Sequence, residues 1–321
     1  YEIRNCDWSS DVCSSDLFVQ NCNQTPFTTT DDGNPFSLDF PQYMVGEKDS
    51  DLRRAKVSRM LLRKMQAATF EDWQSATLDT TLYWPLVEVP QYMTRWNALK
   101  QTDPELAGKV QPYLEHLANW DYRGTVDSTQ TTLCVAWYME LYGVRYPAET
   151  LLPQYVDDAK ARFKALATAA GKLQFLFGDW KVPWGKVSRI QRIAEVSEGP
   201  KAPFSDRIPS VPSPGLPGPL GVAFNTYYTL PTPARRQQYG YAGNSFVAVI
   251  EFGKEKPRAK SVLQFGVSGD PKSPHFFDQA HLVSQRRYKD AWFDWSDVVA
   301  HTKSKYHPGE SRRSSSDAVG Q

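Results

Sequence analysis

A change of texture near residue 180 constrains this chain more than any other feature. Over residues 49–177 apolar side chains recur at the three-and-four spacing of amphipathic helices; beyond Trp180 they come as short runs bounded by Gly and Pro. A helix hides one stripe and a strand one face, so a chain with both patterns must build both elements and pack them together. The pattern predicts an α+β fold. At 321 residues the chain is long enough for one large or two ordinary domains with real cores.

Helix starts are visible in detail. Thr69-Phe70-Glu71-Asp72 has the form of a capping box, and Asp103-Pro104-Glu105 supplies a cap, a Pro at the first helical position and an acid in the first turn. Leu106, Val110, Leu114 and Leu117 then share a stripe, as do Val156, Ala159, Phe163, Leu166, Ala170 and Leu173. The second stripe resembles heptads but is too short for a coiled coil, so a single helix against a core is expected. Strands are predicted at residues 187–193, 221–230, 246–252 and 261–267, with a short one near Trp292. "IPSVPSPGLPGPLG" (residues 208–221) is too rich in Pro for a helix or a central strand. It is expected as a long surface loop, a lip over a cleft.

Residues 18–48 read as a strand and loop, 49–177 as a helical segment, 178–306 as a beta-rich segment completing the core sheets, and 307–321 as a disordered tail with little to bury. The first 17 residues stand apart. "CDWSSDVCSSDL" (residues 6–17) has a Cys pair with Val12 as the sole aliphatic residue between, poor packing for a disulfide loop. Back-translated in one frame, its middle resembles a common sequencing-library adapter, so residues 1–17 are expected to be an artefact outside the fold. Cys22 and Cys134 then remain, too few for a disulfide framework. Setting aside Glu2, Asp7, Asp11, Asp16 and Arg4 leaves 36 basic and 32 acidic side chains, no signature of nucleic-acid binding. No apolar run approaches the ~18 residues of a membrane span, so no membrane partner is expected.

Chemistry concentrates in "FVQNCNQTPF" (residues 18–27). As a strand it would set Val19, Asn21 and Asn23 on one face, aiming two carboxamides the same way. Asn is a poor strand residue, however, and the pair precedes a Pro-containing turn, so turn chemistry and a cluster of amide donors are both open. His275, Asp278 and His281 invite a metal reading, but their spacing splays them on a helix and opposes Asp278 to both His on a strand; a buried turn with satisfied polar groups is expected, and no metal site. "GVSGD" (residues 266–270) lacks the final Gly of a nucleophile elbow. No phosphate loop, dinucleotide fingerprint or H-E-x-x-H occurs. The ten Trp and sixteen Tyr sit mostly among aliphatic neighbours, as in "VAWYMELYGV" (residues 135–144), which points to core packing.

"FVQNCNQTPF" resembles the carboxamide motif of the penicillin acylase and acyl-homoserine-lactone acylase family of N-terminal nucleophile hydrolases. Five later stretches follow in the family's order: "LRRAKVSRMLL" (residues 52–62), "LANWDYRG" (117–124), "WGKVSRI" (184–190), "GNSFVAVIEFG" (243–253) and "SGDPKSPHFFDQAHLVS" (268–284). The resemblance implies the C-terminal part of the beta chain of a four-layer αββα fold, two antiparallel sheets between helical layers, with residues 49–177 as a helical excursion. It implies hydrolysis of an N-acyl amide, of penicillin, acyl-homoserine-lactone or lipopeptide type, by an N-terminal Ser whose own α-amine is the base. That nucleophile has no counterpart here, so the sequence as given is expected to be inactive and to need the alpha chain and the upstream part of the beta chain. A non-catalytic binding module or an inactive family member are the rival readings. By resemblance Asn23 is the oxyanion donor, Asn21 its neighbour and Arg54 a supporting cation, the alternative for Arg54 being a solvated helix-surface charge. No organic cofactor is implied; Asp31 and Asp32 read as a turn or as an echo of a structural calcium ligand. The family places such enzymes in the periplasm or outside the cell.

Overall fold

The helices begin where the sequence supplies caps. The computed structural model describes residues 18, 20–29, 34–45, 52–65, 67–143, 149–193, 202–253, 256–305 and 307. Its first helices are α1 (Arg53–Leu62), α2 (Phe70–Thr77), α3 (Tyr83–Thr102) and α4 (Pro104–Ala118). Then come α5 (Thr129–Tyr142), α6 (Pro153–Val156), α7 (Ala159–Phe177) and the single turn α8 (Trp184–Val187). At α2 the Thr69 hydroxyl accepts from Asp72 N (3.1 Å) while Asp72 Oδ2 accepts from Thr69 N (2.9 Å), the predicted capping box. Asp103 caps α4 by accepting from Leu106 N (3.2 Å). Gly178, in the left-handed conformation at φ +79°, ends α7.

The α4 stripe is buried as its spacing implies. On α7 the stripe is Phe163, Leu166, Ala170 and Leu173; Val156 belongs to α6, before the cap at Asp158, and Ala159, the first residue of α7, is exposed. Between α3, α5 and α7 lies an aromatic knot. Trp84 meets Trp137, Tyr138 and Tyr142 edge to face at 5.4, 5.3 and 6.0 Å, and Tyr92 bridges Trp137 to Phe163. Such T-shaped pairs place ring edges on electron-rich faces, which is how this density of aromatic residues packs without a ligand.

Strand pairing builds two sheets. The first contains β1 (Ser188–Ile190), β2 (Val211–Pro212), β3 (Thr226–Tyr228) and β4 (Gln238–Gly243) in the order β2-β1-β4-β3; the second contains β5 (Phe246–Glu251), β6 (Arg258–Leu263) and β7 (Lys289–Asp290) in that order. The second sheet is antiparallel, but β1 and β4 run parallel, which corrects the expectation of two wholly antiparallel sheets. The cause is the long connection between β1 and β4, which returns the chain to the end from which it started. Two further helices, α9 (Asp278–Ser284) and α10 (Trp295–Ala300), follow. A smaller core of Leu78, Ile190, Val211, Phe224, Val262, Ala280 and Val283 joins α2, α9 and both sheets.

The Pro-rich segment is not a surface loop. Val211 and Pro212 form an edge strand, where the missing N–H of Pro does no harm, and Leu216, Leu220 and Val222 are buried in the helical core. Its backbone carbonyls are met by side chains: Trp184 Nε1 donates to Gly215 O (3.1 Å), as does the Tyr228 hydroxyl (2.7 Å). Pro suits such a buried seam because it brings apolar surface and one fewer donor to satisfy. The stretches at 117–124 and 184–190 serve this seam, since a Cβ on Gly124 would lie 2.3 Å from Leu216 Cδ1 and one on Gly185 2.8 Å from Pro212 Cβ.

Gly221 wedges the seam between α1 and the start of α3, where a Cβ on it would lie 2.7 Å from Tyr83 Cβ. Its φ is +77°, and a Cβ there would lie 2.8 Å from Arg53 Cβ and 2.9 Å from Arg53 O. Gly221→Ala is therefore expected to destabilise the protein by about 1–3 kcal/mol, through backbone strain and overpacking together. An unchanged denaturation midpoint would show that α1 can retreat at no cost.

His116 links stability to pH. Its Nε2 pairs with Thr129 Oγ1 (2.9 Å) and its ring meets Trp180 edge to face at 5.3 Å. Burial, with a smaller contribution from Lys181, holds its pKa below the ordinary 6.5. The unfolded chain then binds this proton more readily than the folded one, so the contribution is present above about 6.5 and declines as pH falls toward the lower folded value. The expected result is a midpoint that drops less between about pH 7.5 and 5.5 in His116→Gln than in the parent.

Among the described residues no helix is long and apolar enough to cross a membrane. Residues 1–17 and 308–321 lie outside the described residues, and with them the adapter-like run and nearly all of the expected tail.

Candidate functional site

The segment carrying the two Asn is a turn, not a strand. Asn21 Oδ1 accepts from Asn23 N at 2.8 Å, so the first carboxamide folds onto its own backbone, and Asn23 sits in the left-handed region at φ +64°. Gln24 closes the turn from within: its Oε1 accepts from Cys22 N and its Nε2 donates to Gln20 O (3.5 Å) and Thr28 O (3.3 Å). A short 3-10 turn, Pro26–Thr28, follows, and Gln20 N returns to Thr29 O (3.1 Å). The strand reading fails for a physical reason: these amide side chains offer the backbone nearer partners than any ladder would. The two carboxamides do not point the same way; one builds the turn that displays the other.

Helix α1 receives this turn along its flank. Gln20 Nε2 donates to Ala55 O (3.3 Å), Arg59 Nη1 to Thr28 O (3.2 Å) and Arg54 Nη1 to Asn23 Oδ1 (2.9 Å), while Arg54 Nη2 reaches Ala223 O (3.4 Å) behind the seam. The solvated-surface reading of Arg54 is thereby overturned. Its Nε is buried and makes no hydrogen bond, so desolvation of this guanidinium is tolerated for the sake of the two contacts at its tip.

This contact has a chemical consequence. A guanidinium only donates, so the Asn23 atom it touches must be the amide oxygen. The amide nitrogen is then the outward group of this exposed side chain, and among the described residues Asn23 Nδ2 makes no hydrogen bond. Drawing electron density toward Oδ1 also makes the Nδ2 hydrogens better donors. The arrangement is an oriented amide N–H at the surface, held by a cation behind it.

Sequence reasoning did not single out Gln20, Gln24, Arg53 or Arg59. The alternation of Gln with Asn in "QNCNQ" was the available signal for the first two. The His275 group differs from expectation in being exposed: His275 Nδ1 pairs with Asp278 Oδ2 at 2.9 Å at the start of α9, while His281 packs beside the Phe277 ring. Among the described residues no group of three or more His, Cys, Asp or Glu could hold a metal ion. Asp31 and Asp32 lie outside the described residues. Cys22 and Cys134 are both buried free thiols, and burial pushes the Cys134 thiol well above its ordinary range, so it is no nucleophile.

The model of the penicillin amidase family matches residues 11–300, and the chain belongs to that family. Over 77 residues it is 34% identical to an acyl-homoserine lactone acylase, PvdQ, of Pseudomonas fluorescens, covering 24% of this chain and 10% of that protein. The PvdQ of Pseudomonas savastanoi is 29% identical over 90 residues, 28% of this chain and 11% of that protein. A thermostable penicillin G acylase structure from Alcaligenes faecalis aligns with 88% of this chain and 57% of its own at 12% identity, with a TM-score of 0.43. The matched stretch thus spans about a tenth of the curated relatives.

Proposed function

We propose that this chain is part of an amidohydrolase that cleaves N-acyl amides, with Asn23 Nδ2 donating to the oxyanion of the tetrahedral intermediate. The observation that carries this reading is the Arg54–Asn23 bond, because it turns the donor side of the carboxamide outward, where it meets no partner among the described residues. A serine heading the beta chain, upstream of the sequence given, would supply the nucleophile. Its hydroxyl attacks the acyl carbonyl, its own α-amine takes the proton near neutral pH, and the carbonyl oxygen gains the negative charge that Asn23 meets. Collapse expels the amine with that proton, and water then hydrolyses the acyl-serine. This chemistry needs no organic cofactor.

In this reading the full protein is a four-layer fold assembled with an alpha chain and the upstream part of the beta chain. The second sheet supports it: Phe246 (59% exposed) and Ile250 (45%) share one face of β5 that the described residues leave partly exposed, with Phe252 (82%) just beyond. Apolar surface of that kind fits another layer better than water. The protein would work in the periplasm or outside the cell, on substrates such as N-acyl-homoserine lactones, the class named for the two PvdQ relatives.

The test is product analysis of the intact, self-processed protein with N-acyl-homoserine lactones, benzylpenicillin and an acylated peptide. Equimolar free acid and amine from at least one of them is expected. A folded, processed protein that releases neither from any of the three would reject the reading.

A further inference from the structure

Two consecutive arginines grip one segment from opposite sides. Neighbouring residues on a helix point about 100° apart, so Arg53 and Arg54 cannot share a target. Arg54 turns to Asn23 and to Ala223 O. Arg53 turns to the helical core, where its Nη1 donates to the Tyr138 hydroxyl (2.8 Å) and Pro219 O (3.1 Å) and its Nη2 to Glu149 O (3.2 Å). The same guanidinium lies 5.0 Å from the centre of the Tyr142 ring, which stacks on Tyr138 at 4.3 Å and accepts from Trp84 Nε1 at its hydroxyl (3.0 Å). Tyr138 also donates to Pro219 O (3.2 Å), and Gly221 presses on the Arg53 backbone.

We infer that Arg53 is a positioning residue for the amide donor: it fixes the rotation of α1 against the aromatic knot, and so delivers Arg54 to Asn23. The inference rests on the proposed role of Asn23. Its physical content is that the Arg54 tip has one partner in the Asn23 turn and one in the seam, too few to set the helix by itself, whereas Arg53 ties the helix to three acceptors and two rings. A rotation of α1 by a fraction of a turn would leave the fold intact and release the Asn23 carboxamide to spin. An ammonium cannot replace this fork, because it lacks the plane that lies on a ring while donating from two arms.

The test is a double-mutant cycle on the intact protein, with rates expressed per titrated active site. Arg53→Met is expected to lower kcat by about ten- to a hundred-fold with KM changed less than about twofold, and to have no further effect in an Asn23→Ala background. Arg53→Lys should recover only part of the loss. Should Arg53→Met fail to accumulate, Tyr138→Phe, which keeps the ring and removes only a hydroxyl partner, is expected to lower kcat in the same direction. An unchanged kcat, or a loss of equal factor with and without Asn23, would overturn the inference, since a residue that merely holds the fold acts equally in both backgrounds. If Asn23→Ala alone leaves the rate unchanged, the site reading itself fails and this inference with it; a slow Asn23→Ala beside a normal Arg53→Met rejects the positioning role alone.

Discussion

Asn23→Ala in the intact protein is expected to lower kcat for amide hydrolysis by about a hundred- to a thousand-fold, equivalent to the ~2.7–4 kcal/mol that one oxyanion donor contributes. KM should change little, because the donor meets a charge that exists only during reaction. The structure adds a control. Asn23 has φ +64°, a conformation that Ala adopts at a cost of roughly 1–2 kcal/mol, so a loss in Asn23→Ala mixes a missing donor with a strained turn. Asn23→Gly takes that conformation freely and also lacks the donor. If both variants are slow by a similar factor, the donor is responsible; a Gly variant with near-normal kcat would remove Asn23 from the mechanism. Asn23→Asp offers a third arm, since a carboxylate would still pair with Arg54 but has no N–H to give.

Trp84→Ala is expected to cost about 3–5 kcal/mol of stability. Trp84 is 1% exposed, touches three aromatic rings edge to face, and satisfies the Tyr142 hydroxyl through Nε1. Its removal leaves a cavity that rigid rings cannot collapse into and orphans a buried acceptor. A guanidinium titration should show a lowered midpoint with little change in slope. Trp84→Phe, which keeps a six-membered ring but loses the N–H and part of the indole's volume, should cost less, about 1–3 kcal/mol. If Trp84→Ala cost less than about 1 kcal/mol, the aromatic knot would not be the centre of the helical core.

Local signals were legible wherever the partner of a residue lies within a few positions. The capping box at Thr69 and Asp72, the cap at Asp103 and the stripe from Leu106 to Leu117 are all set by neighbours three or four residues away, and each stands as its spacing implies. The turn at Asn21 and Asn23 was also legible, as one of two readings of the carboxamide pair, and Asn21 builds it.

What the sequence by itself determined, then, is the helical run up to Phe177, the change to strand texture past Trp180, and that its carboxamides cluster before a turn, because short-range sterics and hydrogen bonding act within one or two turns of chain; β4, α9 and α10 were not legible in it. Only the tertiary structure decided the rest. Whether the Pro-rich segment lies on the surface or in the core depends on Trp184, Tyr228 and Arg53 arriving from distant elements to meet its carbonyls. Whether Arg54 is a solvated charge or a partner of the Asn23 carboxamide depends on a turn 31 residues away docking on its helix. Periodicity records which side of an element is apolar; it carries no record of what that side, or the polar one opposite, will meet.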